Sequence, residues 1–335
     1  MTEWAKGYSA AYYMALVDRA TWKDIDRVEV TAGNITREET ALRESADIEC
    51  INYKGGIEQW IRVYLDVNQN GSNEHIPLFT GLATSPEVKI DGVINQNTIQ
   101  CYSVLKPAED VILKRGWYAP AGMNSGGIIK QLLSVTPAPV EIEDNAPVLT
   151  NAIIAEDNET HLSMIDKLLT AMNWRLIILG DGTISIRPQP IDPVITFDPY
   201  GNDVIEPEIT VSQDWYECPN VFMAVNGDLY GVARDDSEDS PLSTVNRGRE
   251  VWAVETDCEL TDNESVSEYA QRRLQEKQRP EKSAQYNRRY YPNLYVSDLI
   301  QLHYPNQELD GVYRIESQGI TLGHSARTQE KVNEV

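Results

Sequence analysis

Three stretches near the C-terminus decide the fold: SEYAQRRLQEKQRP (267–280), YPNLYVSDLIQLHYP (291–305) and GVYRIESQGITLG (311–323). In the first stretch, apolar side chains recur at the spacing of one helix face. The other two alternate apolar and polar residues, which is typical of half-buried strands. The sequence therefore predicts one helix followed by strands over about 285–291, 294–303 and 311–322.

The predicted helix covers about residues 264–279. Thr261 and Glu264 have the spacing of a capping box, and Pro280 would stop the helix. Its apolar face would consist of Val266, Tyr269, Ala270 and Leu274.

Residues 1–95 predict an N-terminal β domain without a helix. Alternating runs occur at RVEVT (27–31) and ADIECINY (46–53), and Gly33-Asn34 between them predicts a turn. WIRVYLDV (60–67) and IPLFTGL (76–82) have the pattern of two hairpin arms joined by a polar, glycine-containing connection.

Residues 96–190 predict a smaller α+β domain. IIKQLLSV (128–135) could form one or two helical turns, and the acidic run PAPVEIEDNAP (137–147) predicts a linker or surface loop. Asp157 and Asn158 are candidate N-caps of a second helix. Its apolar positions are Leu162, Ile165, Leu168, Leu169 and Met172. A GDG turn at 180–182 then predicts a hairpin.

Four prolines between residues 188 and 199 mark the next boundary. Residues 191–335 form the third predicted domain, with further strands near 208–211, 221–226 and 250–256. The charged segment 234–249 predicts a mobile loop. The fold class is thus mainly β with an α+β insert, in which two tube-like β-barrel domains bracket the smaller mixed domain.

Composition excludes several classes of function. The 335 residues include 52 acidic and 29 basic side chains, a formal charge of −23, so a nucleic-acid-binding role is disfavoured. No run reaches the ~18 apolar residues of a membrane span, and no signal-peptide core is present, so we expect neither secretion nor membrane insertion. The four cysteines predict free, mostly buried thiols: Cys50, Cys101, Cys218 and Cys258.

One stretch of the sequence resembles a calcium-binding loop. Asp66-x-Asn68-x-Asn70-Gly71 matches the start of an EF-hand calcium loop, but Pro77 stands where the bidentate glutamate is required. The flanks predict strands, so a hairpin turn is favoured. A weak calcium site using Asp66 and Glu74 is the alternative interpretation.

No other chemistry-bearing pattern stands out. The histidines are far apart in sequence and carry no zinc-site spacing: His75, His161, His303 and His324. Nucleophile-elbow, catalytic-triad and phosphate-loop patterns are missing from the sequence, and the many carboxylates make any single pair uninformative. We therefore assign no catalytic, cofactor-binding or metal-binding residue and expect no enzyme.

The C-terminal third resembles the last domain of phage tail baseplate hub proteins, the group that includes late control protein D and the tail-associated hub proteins. The matching positions are Pro292, Leu294, Val296, Asp298 and Leu302, then Gly311, Tyr313, Ile315, Ser317, Ile320 and Gly323. The glycine that the family places before the aspartate is Ser297 here, which weakens one turn. The N-terminal runs follow the order of a hub's first barrel.

The resemblance implies a virion tail protein assembled in the host cytoplasm. Three copies would form a ring joining the tail tube, or a distal tail protein, to spike or fibre proteins. DNA would pass through its acidic channel without specific binding. Two alternatives are a cell-wall (peptidoglycan) hydrolase of the tail tip and a receptor- or carbohydrate-binding module with exposed Trp and Tyr.

Overall fold

Strands dominate the computed structural model, at 48% of residues against 15% in helices, which confirms the mainly β prediction. The structure describes residues 2–56, 58–84, 86–91, 94–149, 152–227, 229–256, 258, 265–278, 282–307, 309–323 and 326–335. Thr261, Glu264, Pro280 and His324 lie outside them. The chain divides into unit 1, residues 1–210 and 285–332, and unit 2, residues 211–284 and 333–335. The three-domain division at residues 95 and 190 stays a prediction.

The strands are β1 Ser9–Val17, β2 Asp24–Glu38, β3 Glu44–Ile51, β4 Gln59–Gln69, β5 Ser72–Ala83, β6 Glu87–Asp91, β7 Ile94–Ser103, β8 Tyr118–Ala119, β9 Val140–Ile142, β10 Ile153–Ile154, β11 Trp174–Ile178, β12 Ile184–Pro188, β13 Ile195–Phe197, β14 Thr210–Gln213, β15 Val221–Asn226, β16 Leu229–Arg234, β17 Trp252–Thr256, β18 Lys282–Arg288, β19 Leu299–Tyr304, β20 Leu309–Leu322 and β21 Thr328–Glu334. The helices are α1 Lys106–Asp110, α2 Ser125–Leu132, α3 His161–Met172, α4 Thr244–Arg247 and α5 Val266–Lys277, with 3₁₀ turns at Leu133–Val135 and Pro305–Gln307. None of these described helices is long and apolar enough to cross a bilayer.

Six strands of unit 1 close into a ring. The pairings run β1–β4–β5–β7–β3–β2, and β2 returns to β1. Each strand contributes a buried apolar side chain: Met14, Val28, Ile48, Val63, Phe79 and Ile99. The interior of the ring is therefore a packed core, as in other small barrels.

Strand β2 is longer than the sequence predicted. Its first half pairs with β1, and its second half, from Gly33 to Glu38, pairs with β20 on one side and β3 on the other. The turn predicted at Gly33-Asn34 is wrong, because hydrogen bonding to both neighbours keeps these residues extended. The register shift lies one step earlier, between Val30 and Ala32.

The C-terminal strands of unit 1 continue this sheet. β20 pairs with β19 through its first half, and β19 pairs in parallel with β13. The strand predicted from Leu294 begins only at Leu299, because Asp298 accepts the Tyr295 N–H at 2.7 Å and forms a turn. Ser297 has φ 69°, the left-handed conformation that glycine adopts at lower cost. β21 was not predicted.

The α+β part of unit 1 packs α2 and α3 against the β11–β12 hairpin, and both α3 and the hairpin occur where the sequence predicts them. The N-cap of α3 is Thr160 rather than Asp157 or Asn158, because its hydroxyl accepts the Ser163 N–H at 3.1 Å in a capping box. The segment 137–147 is more than a linker, since β9 pairs in parallel with β12.

The GDG turn of the β11–β12 hairpin docks against the ring. The Thr80 hydroxyl donates to the Gly180 carbonyl at 2.8 Å, and Arg62 Nη2 donates to the Asp181 carbonyl at 2.9 Å. The Trp22 indole N–H donates to the same Asp181 oxygen at 3.1 Å. Residue 180 has to be glycine, because a Cβ there would lie 1.8 Å from the Pro77 carbonyl oxygen.

Unit 2 contains a three-stranded sheet ordered β16–β15–β17, with α5 packed on it. The apolar face predicted for α5 is confirmed: Val266, Tyr269, Ala270 and Leu274 are buried. Its capping box within the described residues is formed by Ser265 and Glu268. The segment 234–249, predicted to be mobile, folds around α4, with the Asn246 amide donating to the Glu238 and Ser240 carbonyls.

Candidate assembly surface

One face of the unit 2 sheet is apolar and uncovered. The register places alternate residues of each strand on the side opposite α5, and we call this side the open face. It consists of Val221, Met223, Val225, Tyr230, Val232, Trp252 and Val254, with Arg234 and Thr256 at its edges. Tyr230 is 72% exposed, Val254 55% and Trp252 51%. A sheet with one solvated face normally carries polar side chains there, so an apolar face marks an interaction surface.

A second surface lies on the outside of the ring in unit 1, and we call it the polar strip. β2, β3 and β7 run side by side, so that Asp47 is flanked by Asn34 and Gln100. Its side chains are Asn34, Thr36, Ser45, Asp47, Glu49, Thr98 and Gln100. These positions carry two carboxylates and no cation, so the strip repels phosphate groups.

A buried ion pair joins the C-terminal strands of unit 1. Arg288 Nη2 on β18 contacts Glu330 Oε1 on β21 at 2.5 Å, and both side chains are buried. The Tyr286 hydroxyl donates to Glu330 Oε2 at 3.0 Å, and the Gln318 amide donates to Oε1 at 2.7 Å. Three side chains from two strands, β18 and β20, thus donate to one carboxylate, which is how a buried charge is tolerated.

A cavity of about 500 Å³ in unit 1 is the candidate site for hydrolytic chemistry. It is lined in part by Arg37, Glu44, Asp166 and Ser297. Glu44 pairs with Arg37 at 3.5 Å, and burial raises the pKa of its carboxyl to about 8 although Arg37 lowers it. A raised carboxyl pKa suits a general acid, but the Glu44 side chain is only 2% exposed. Its carboxyl therefore offers little surface to a substrate.

The Glu44 pKa predicts a pH-dependent stability. The folded chain holds the proton more tightly than the unfolded chain, where the ordinary value is 4.5. This contribution is fully present below pH 4.5 and is lost as pH rises towards 8, by up to about 1.4 kcal/mol per pH unit. Glu44→Gln should remove this slope in urea unfolding measured between pH 5 and 8. Glu49→Gln, exposed on the same strand, is the control, and an unchanged slope in Glu44→Gln would contradict the assignment.

The calcium interpretation of Asp66 is not supported by the placement of its neighbours. Asp66 pairs across the hairpin with His75, and its Oδ1 lies 2.6 Å from His75 Nδ1. Glu74 pairs with Val67, so its side chain lies on the opposite side of the hairpin from Asp66. The predicted hairpin is confirmed, with Asn70 and Gly71 both at positive φ as a tight turn requires.

The described histidines outside the β4–β5 hairpin form local contacts. His161 Nδ1 lies 2.9 Å from the Leu132 carbonyl oxygen, and His303 Nδ1 lies 2.9 Å from Asp310 Oδ1. No group of three potential metal ligands occurs among the described residues. All four cysteines are free and buried, as predicted.

The open face is what sequence reasoning missed, because β16 was not predicted. Its signal is present in LYGVAR (229–234), which alternates directly after the strand VFMAVN (221–226). Aliphatic or aromatic side chains then occupy both alternating sets of β15: Phe222 and Ala224 on one face, Met223 and Val225 on the other. A strand with two apolar faces predicts that both are covered.

No protein-family model matches the sequence, and no curated protein matches it either. Solved structures do match. The 43 kDa tail protein of prophage MuSo2 from Shewanella oneidensis aligns with a TM-score of 0.64 at 13% identity, covering 97% of this chain and 98% of that one. A tail protein from Neisseria meningitidis aligns with a TM-score of 0.62 at 13% identity, covering 98% and 97%.

A third match is the prophage tail protein gp18 of Listeria monocytogenes, with a TM-score of 0.51 at 12% identity over 97% of this chain and 94% of that one. At such low identity the likeness establishes the fold and not the activity. The chain has the fold of phage and prophage tail proteins from end to end. The resemblance drawn from the C-terminal stretches is thereby confirmed at the level of fold.

Proposed function

We propose that this chain is a structural, non-enzymatic hub of a phage or phage-like tail baseplate. Three copies form a ring that joins the tail tube, or a distal tail protein, to spike or fibre proteins. The observation that carries the proposal is the match of fold along 97–98% of the chain to two tail proteins. The protein then belongs to the virion tail and is assembled in the host cytoplasm.

The open face supports self-assembly. Copies of a chain with a net charge of −23 repel one another, so a surface with few carboxylates favours their association. Its exposed apolar side chains, Tyr230, Val232, Trp252 and Val254, are uncharged, and Tyr230 and Trp252 are of the types enriched at interface cores. We therefore assign the open face to the contact between copies.

The ring of six strands within one chain has a filled interior, so a passage for DNA has to lie between copies. The polar strip suits the wall of such a passage. Asp47 and Glu49 repel phosphates, and no lysine or arginine of the strip would hold the DNA in transit. The acidic surface then acts through repulsion, and binding specific to DNA sequence is not expected.

Sedimentation equilibrium of the purified chain, alone and with neighbouring tail proteins, tests the proposal. We expect a trimer, and Val254→Glu should convert it to a monomer because a carboxylate is placed in the contact. Val245→Glu is the matched control, since Val245 is 56% exposed on α4, outside the three strands of the sheet, and Val254 is 55% exposed.

The trimeric ring and the assignment of the open face to its contact can be contradicted separately. A chain that stays monomeric under every condition contradicts the ring. A trimer that persists in Val254→Glu contradicts only the assignment of the open face. Thermal unfolding of each variant confirms that loss of assembly is not loss of fold.

A further inference from the structure

A groove of about 670 Å³ in unit 2 has a distinct lining. Two segments meet there, one around residues 215–216 and one over 241–249. The lining residues are Trp215, Tyr216, Pro241, Leu242, Arg247 and Arg249. Trp215 is 46% exposed and Tyr216 68% exposed, so aromatic surface is available to a ligand. The volume lies within the range of ordinary ligand pockets.

The groove is held in shape by buried polar contacts. The Asn220 side chain is fully buried and donates to the Leu242 carbonyl at 3.1 Å and to the Arg249 carbonyl at 2.9 Å. Its Oδ1 accepts the Val251 N–H at 2.7 Å. One amide therefore fixes the second segment along both sides of α4, and the groove is largely preformed.

The two arginines are also fixed in place. Arg247 donates through Nη1 to the Cys218 carbonyl at 2.6 Å and through Nη2 to the Tyr216 carbonyl at 2.5 Å. Arg249 donates to the same Tyr216 oxygen at 2.8 Å, and its guanidinium lies 4.2 Å above the Tyr216 ring. These contacts orient the guanidinium groups but do not neutralise them.

Neither arginine forms an ion pair with a carboxylate in the described part of the chain. Asp214 and Glu217 lie in the adjoining segment, and neither is within ion-pair distance of them. The Asp214 carboxylate instead accepts the Tyr216 N–H at 2.9 Å. Glu250, next in sequence, pairs with Arg234. Two cations beside an aromatic wall, unpaired with any carboxylate that the structure describes, are unusual in a chain with 52 acidic side chains.

We propose that this groove binds an acidic peptide segment of another protein, in which an apolar side chain lies next to a carboxylate. The apolar side chain packs on Trp215 and Leu242, and the carboxylate pairs with Arg249 and Arg247. Charge complementarity selects the carboxylate, because guanidinium groups recognise it through paired hydrogen bonds. A saccharide fits less well, because the only charged or amide side chains of the groove are the two guanidiniums.

The inference goes beyond the proposed function and concerns unit 2 alone. Fluorescence anisotropy of the full chain with three labelled hexapeptides tests it: GDLDFG, its cationic counterpart GKLKFG and its polar counterpart GDSDSG. GDLDFG should bind at least fivefold more tightly than either counterpart, and 0.5 M salt should weaken its binding because screening reduces the charge term.

Variants locate the site. Arg249→Gln and Trp215→Ala should each weaken GDLDFG binding at least fivefold. Arg272→Gln, an exposed arginine on α5 that pairs with Glu276, is the matched control and should bind like the parent chain. Thermal unfolding checks that each variant is folded, and if one of the two groove variants fails to fold, the other decides.

Three results would overturn the inference: equal binding of GKLKFG, unchanged binding by both groove variants, or tighter binding of an oligosaccharide of glucuronic acid than of GDLDFG. If the chain binds GDLDFG but remains a monomer, the peptide-binding proposal is supported and the trimeric ring is contradicted. The two proposals are therefore distinguishable.

Discussion

Glu330→Ala is expected to lower the free energy of unfolding by about 3–5 kcal/mol, which is the usual effect of removing one partner from a buried ion pair. Arg288 is fully buried beside Glu330, and its guanidinium would keep its charge without a counter-ion. Gln318 and Tyr286 would lose an acceptor at the same time. Urea unfolding monitored by circular dichroism measures the change.

Two controls separate charge burial from loss of an ordinary salt bridge. Glu316→Ala removes the partner of Lys331 in an exposed pair and should cost less than about 1 kcal/mol. The double variant Arg288→Met/Glu330→Leu replaces both charges with apolar groups and should recover most of the stability. If Glu330→Ala costs no more than Glu316→Ala, the pair is not what holds β18 to β21.

Gly180→Ala is expected to have an effect of similar size, a loss of about 3 kcal/mol or more. The added Cβ would lie 1.8 Å from the Pro77 carbonyl oxygen, so the hairpin has to move away from the ring. That movement breaks the hydrogen bonds from Thr80 to the Gly180 carbonyl and from Arg62 to the Asp181 carbonyl. Thermal and urea unfolding both report the loss.

Gly7→Ala is the control for the change of residue type, because a Cβ at Gly7 meets nothing within 4 Å. It should be neutral or slightly stabilising, since alanine reduces the entropy of the unfolded chain. A second comparison uses two glycines with nearly the same φ. Gly182 at +84° would contact Thr80 at 2.8 Å, whereas Gly122 at +81° faces open space. Gly182→Ala should therefore be the more harmful of the two, and equal effects would show that the docking contact is weak.

Much of the local structure follows from the sequence. The alternation in WIRVYLDV and IPLFTGL predicts the β4–β5 hairpin, and helical spacing predicts α3 and α5, because side-chain periodicity is a property of neighbouring residues. Errors concentrate at boundaries. The N-cap of α3 falls at Thr160 because it has a serine three residues on, which completes a capping box.

The wrong predictions for whole segments share one physical cause, which is pairing between residues far apart in the chain. Gly33-Asn34 has the composition of a turn, yet β20, nearly 290 residues later, pairs with it and extends the strand. The segment 137–147 has the composition of a linker, yet β12 recruits part of it as β9. Tertiary hydrogen bonds outweighed local preference at both sites.

By itself the sequence determined the mainly β class, the free buried thiols, the acidic surface and the C-terminal order of helix and strands that resembles baseplate hubs. Only the tertiary structure decided that six strands close into a filled ring, that the unit 2 sheet has an exposed apolar face, and that Arg247 and Arg249 line one groove without a carboxylate partner among the described residues. Periodicity along the chain shows which side of a strand is buried, but not whether anything covers the other side, because covering depends on elements that are distant in sequence.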